Sequence, residues 1–143
     1  MEFQKIKLHR SEKNRAAVTQ ITLDDDYNVP DYRQDIVKVI KERGELRFDE
    51  VKAMEGAAWI KGSLVFKVLY RSDKQEGKIS CLRGEIPFQE RLNMDGLSEY
   101  DAVHATGDME DLTIGVINSR KLNVRAVIVL TASSEKEVDE ELT

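Results

Sequence analysis

A single cysteine, Cys81, excludes an intrachain disulfide from this 143-residue chain and suits a reducing compartment. Histidine is almost as scarce, with only His9 and His104 present. A hydrolytic site needs a nucleophile, a base and a group to orient them, and these two isolated residues lack such neighbours. His9 falls in an N-terminal arm, and His104 alternates with Val103 and Ala105 as a surface or half-buried strand residue does. No Cys-x-x-Cys pair and no His-x-x-x-His spacing offers zinc a ligand set. The eight glycines are dispersed, and no glycine-rich loop opens a helix to cradle phosphate. No apolar run approaches the ~20 residues needed to span a bilayer. The opening MEFQKIKLHR lacks the apolar region of a signal peptide. The sequence therefore predicts a non-enzyme without cofactor or metal, not inserted in a membrane and residing in the cytoplasm.

Other features have a bland and a functional reading. Asp24, Asp25 and Asp26 could attract calcium, but the EF-hand pattern of alternating ligands, central glycine and distal glutamate is absent. A solvated turn is the expectation, and the same holds for Asp108, Glu110 and Asp111. Cys81, between Ser80 and Leu82, reads as a small buried hydrophobe. Basic residues occur as singles and pairs and form no stripe, so no nucleic-acid partner is expected. The early group Lys5, Lys7, Arg10, Lys13 and Arg15 reads as a solvated arm or strand sooner than as an anionic-surface contact.

What is present is a globular balance: 41% hydrophobic and 34% charged residues, net charge −5. That is too apolar for disorder and leaves a heavily charged exterior. Residues 1–132 read as one domain and 133–143 as an acidic linker or tail. A helix is predicted over 31–43. Asp31 with Gln34 makes a variant capping box, Ile36, Val37, Val39 and Ile40 recur at helical spacing, and Gly44 stands where a left-handed residue ends a helix. Most of the remainder reads as strand. Ala58, Ile60, Leu64, Phe66, Val68 and Tyr70 share one face of Ala57–Arg71, with Gly62 in the same phase. Leu46–Met54 precedes it across a Glu55-Gly56 turn, and Asn93–Gly96 is a second turn. Ala16–Leu23, Lys78–Arg91, Asp101–Met109, Asp111–Asn118 and Asn123–Ala132 supply further strands, with Pro87 marking an edge or bulge. The fold class that follows is mainly β with one helix (α+β). Its frame is an antiparallel β-sandwich or strongly curved sheet of six to eight strands.

Three stretches together carry a family likeness: residues 17–46, residues 60–73, and residues 84–96 with 108–132. Their marks are Val29-Pro30-Asp31, Gly62 with Leu69-Tyr70, Pro87-Phe88, and Ser119-Arg120-Lys121-Leu122 leading into a strand. In that order they resemble the SPOCS domain of spore-forming Firmicutes. The family often has a second proline where this chain has Gln34, before Asp35. The resemblance implies a structural role in building the spore envelope, as in SipL-like proteins, where SPOCS units accompany a LysM domain. It implies no catalytic residues. Pro30 and Asp31 become the start of the helix, Gly62 a point of close backbone approach, and Pro87-Phe88 a bend with an apolar anchor.

The function expected from residues and resemblance is a scaffold module of the spore coat. Its partners would be other coat proteins and itself, on the mother-cell side or spore surface. The candidate interaction surface is the second face of the long strand, where Trp59, Val65 and Leu69 stand. The alternative is a carbohydrate- or peptide-binding β module using Trp59 and Tyr70, which alternation places on opposite faces.

Overall fold

The structure is a computed structural model that describes residues 13–72 and 79–136. These described residues form six strands: β1 (Lys13–Asn28), β2 (Ile36–Met54), β3 (Ala57–Ser72), β4 (Ile79–Asn93), β5 (His104–Asn118) and β6 (Lys121–Lys136). They form two three-stranded sheets, ordered β1-β6-β5 and β2-β3-β4, hereafter the terminal and middle sheets. Every pairing is antiparallel. From β1 in the terminal sheet the chain crosses to build the middle sheet, and returns so that β6 fills the place between β5 and β1.

The helix expected over 31–43 does not form, and the fold is all-β rather than α+β. Residues 36–54 are one 19-residue strand. Its register slips between Ile36 and Lys38, between Val39 and Lys41, and between Phe48 and Glu50. Each slip is a β-bulge, which inserts an extra residue and resets the inward phase. Ile36, Val39 and Glu42 therefore point inward at a spacing of three, opposite Ser72, Tyr70 and Val68. That spacing imitates one face of a helix. The β-branched residues Ile36, Val37, Val39 and Ile40 are stiff at χ1 and favour the strand. Gly44 ends nothing: it pairs with Phe66 inside the sheet. Among the described residues, left-handed glycines occur only at Gly56 and Gly96, in the two turns read from sequence. Asp24, Asp25 and Asp26 are not a turn either, but continue β1 opposite Arg125, Val124 and Asn123. Residues Ser133–Lys136 prolong β6, so the acidic segment outside the described residues is 137–143.

The core lies between the sheets. The inward side chains of the two central strands are completely enclosed: Ile60, Leu64, Phe66 and Val68 from β3, and Leu122, Val124, Ile128 and Leu130 from β6. The edge strands contribute half-buried residues such as Ile21, Leu46, Phe48 and Leu112. Tyr27 of β1 meets Phe66 edge to face, with centroids 5.1 Å apart. Gly44 lets β2 approach β5 closely, since a Cβ there would stand 2.9 Å from Leu112 Cδ2 and from Met109 Cε.

Candidate interaction surface

Directly paired residues share a face of an antiparallel sheet, so the register maps the outer face of the middle sheet row by row. Lys52, Trp59 and Arg91 form one row. Further along lie Arg47–Ser63–Pro87, Glu45–Val65–Glu85, Arg43–Lys67–Arg83 and Lys41–Leu69–Cys81. Trp59, Val65 and Leu69 do share this face, but they do not make one patch. Lys61 and Ser63 separate the first two, and Lys67 separates the last two. Val65 is only 5% exposed, whereas Leu69 is 39% exposed and Trp59 half-buried.

The burial of Val65 has a visible cause. Arg47 reaches from β2 across β3 to Glu85 on β4, with Nη2 3.0 Å from Oε1, and it also holds Asp49 at 2.9 Å. Arg83 approaches the other Glu85 oxygen at 3.2 Å. This bridge lies over the middle of β3 beside Ser63, whose Oγ accepts a 3.4 Å hydrogen bond from Arg47 Nη2. Hydrogen bonds that Arg47 donates to Asp49 and then to Glu85 push its guanidinium above its usual range. The hydrogen bond from Arg47 holds the Glu85 carboxyl below the ordinary carboxylate range, against a smaller opposing effect of desolvation.

The remaining motif residues are structural. Gly62 opposes Phe48 and Phe88, and a Cβ there would collide with the Arg47 carbonyl and stand 3.0 Å from Phe88 Cζ. Pro87 sits on β4, an edge strand, where its missing N–H breaks no ladder. Phe88 is buried and meets Phe48 edge to face at 6.4 Å. Pro30 and Asp31 open a turn instead of a helix, closed by the Arg33 amide donating to the Pro30 carbonyl at 2.9 Å.

That turn is held by Arg120, which the sequence marked only as part of a motif. Its Nη1 donates to the Arg33 carbonyl at 2.7 Å and to Asp35 Oδ1 at 3.1 Å. Its Nη2 donates to the carbonyls of Pro30 at 2.7 Å and Val29 at 3.3 Å. The backbone adds Val29 N to the Arg120 carbonyl and Ile36 N to the Ser119 carbonyl. A planar guanidinium suits this, because its donors are fixed in a fork. The β5–β6 turn thus clamps the crossover between the two sheets.

Cys81 is exposed, not buried as expected, and faces outward beside Leu69. Both line a shallow recess with Lys41, Glu42, Arg43 and Lys67. His104 is exposed at the start of β5 and pairs with Ser133. Tyr70 is enclosed in the core, on the opposite face from Trp59. His9 and residues 1–12 lie outside the described residues, while Arg15 donates to the Asp95 carbonyl at 3.1 Å. Among the described residues, no group of three or more His, Cys, Asp or Glu could hold a metal ion.

The surface feature that the linear sequence concealed is charge. At one end of the middle sheet, Arg43, Lys67 and Arg83 form a row of cations across all three strands. Lys41 lies in the next row, and Lys38 pairs with Arg71 in the one after. No carboxylate belongs to these rows. Lys38, Lys41 and Arg43 are close in sequence, but only cross-strand register adds Lys67, Arg71 and Arg83 to them.

Residues 35–117 match a family model described as SipL, SPOCS domain. The match takes in β2, β3, β4 and nearly all of β5, and so includes the whole middle sheet. Neither the curated proteins nor the solved structures yielded a match.

Proposed function

The chain belongs to the SipL SPOCS-domain family, and from that premise we propose that it is a non-catalytic structural module of spore-envelope assembly acting through protein–protein contacts. The family makes it a sporulation-related module; the contact mechanism, the coat and the mother-cell side of the spore surface are our reading. The observation that carries it is the outer face of the middle sheet. It lies wholly within the matched span and combines clustered cations with exposed apolar residues, among them Leu69 at 39% and Ile79 at 56% exposure. A charged rim around a few exposed apolar groups is what a modest protein interface presents. A sugar-binding platform is poorly supported, because Trp59 has no second aromatic beside it and is flanked by Lys52 and Arg91.

The test is localisation. A fluorescent fusion of the chain in a sporulating spore-former is expected to collect at the forespore surface. The Lys41→Glu, Arg43→Glu, Lys67→Glu variant is expected to spread through the mother cell. A wild-type fusion that stays diffuse throughout sporulation would refute the reading.

A further inference from the structure

The outer face of the terminal sheet is opposite in character to the basic end of the middle sheet. Its central strand β6 presents Arg125, Val127 and Val129 outward. Carboxylates flank it on both sides: Asp24 and Asp26 on β1, and Asp108 and Asp111 on β5. Glu110, at the β5 bulge, also lies on this face, since its Oε1 accepts a 2.9 Å hydrogen bond from Gln20 Nε2. The acidic and basic regions sit back to back. Gly44, next to Arg43, packs inward against Met109 and Leu112, whose neighbours Asp108 and Asp111 point out on the other side.

Resting on the reading that this domain works by protein contacts, we propose that its partner includes a second copy of itself, joined face to face. The acidic outer face of the terminal sheet of one copy docks on the basic end of the middle sheet of the next. Because the two patches are different surfaces on opposite sides of the sandwich, the contact is heterologous. A simple translation along the sheet normal repeats it, which gives an open stack instead of a closed dimer. Three strands about 4.8 Å apart over the roughly 17 Å of the basic end offer about 250 Å² per partner. That is smaller than a stable specific interface, so charge complementarity carries the junction, which is weak, concentration-dependent and sensitive to salt.

The experiment is sedimentation velocity of the intact chain over a concentration series at low and high salt, with two variants. One carries Lys41→Glu, Arg43→Glu and Lys67→Glu; the other carries Asp24→Lys, Asp108→Lys and Asp111→Lys. All these positions are exposed, and circular dichroism with thermal unfolding verifies that each variant folds. The wild type is expected to assemble at low salt and dissociate at high salt. Each variant alone should associate at least about tenfold more weakly, because like charges then meet. Mixing the two variants in equal amounts should restore assembly, since each now complements the other at both faces.

Assembly that survives both reversals, or a mixture that stays monomeric, would overturn the face pairing while leaving a protein-contact role intact. A wild type that is monomeric at every concentration and salt would overturn self-stacking outright, and the localisation test would then decide the broader reading separately. A monomer that instead binds duplex DNA through Lys41, Arg43 and Lys67 would assign the basic end to a polyanion and also exclude the stack.

Discussion

β3 and β2 lie side by side, pair over nearly their whole lengths, and read very differently. β3 is the central strand of its sheet and runs without a bulge against β4. Its inward residues alternate at a strict period of two, and all are enclosed. β2 is an edge strand with three interruptions of register, and its inward residues are only half-buried beyond Ile36. A central strand must satisfy two neighbours at once, so any extra residue would disturb both ladders. An edge strand has one neighbour and can bulge. Bulges and outward charges also blunt the free edge against pairing with other chains.

Truncation in the two strands should show this contrast most strongly. Phe66→Ala removes a fully enclosed β3 ring and is expected to cost about 3–5 kcal/mol in denaturant unfolding. Phe48→Ala in β2 is expected to cost roughly half as much, because that ring is already partly in water. Equal losses would show that the edge strand is as tightly enclosed as the centre. Next in size is the clamp on the entry to β2. Arg120→Ala is expected to lose about 2 kcal/mol, since charged hydrogen bonds to carbonyls are removed. Amide exchange at Val29 and Ile36 should accelerate in that variant, and Arg120→Lys should restore little of the protection because an ammonium cannot serve both arms of the fork.

Smaller still is the effect at the bulge itself. Ile40 is 47% exposed, so Ile40→Lys should change stability by no more than about 0.5 kcal/mol. The same change at Ile60, on the enclosed face of β3, should prevent folding. A large loss at Ile40 would mean that this residue is buried as the helical reading required. The smallest effect concerns the bridge over β3. Glu85 titrates below the ordinary carboxylate range in the folded chain. Its contribution is therefore present above the unfolded carboxyl pKa and disappears as pH falls through the lower folded value. Glu85→Gln should flatten that acid limb slightly, as expected for an exposed ion pair, and thermal unfolding between neutral and acid pH measures it.

Much of the β framework could be read directly. The phase of β3, the Glu55-Gly56 and Asn93–Gly96 turns, and the apolar run of β6 all follow from local rules that the fold obeys. The helix was misread because bulges at Val37 and Ile40 placed Ile36, Val39 and Glu42 on one face at helical intervals. Pairing with β3 outweighed that local pattern. The same limit hid the surface: Arg43, Lys67 and Arg83 are far apart in the chain and become a row only when β2, β3 and β4 align. Arg120 was legible as a motif residue, but its carbonyl partners belong to a turn nearly ninety positions away.

The sequence by itself determined most of the extended stretches outside residues 36–43, the Glu55-Gly56 and Asn93–Gly96 turns, which face of β3 is apolar, and the likeness to the SPOCS family. Those depend on side-chain alternation and turn chemistry within a few residues. Only the tertiary structure decided that residues 36–54 are one bulged strand, that Val65 is covered while Cys81 is not, and that the two outer faces carry opposite charge. Each of these depends on which strands are neighbours and in what register, and register is set by burial across the whole sandwich.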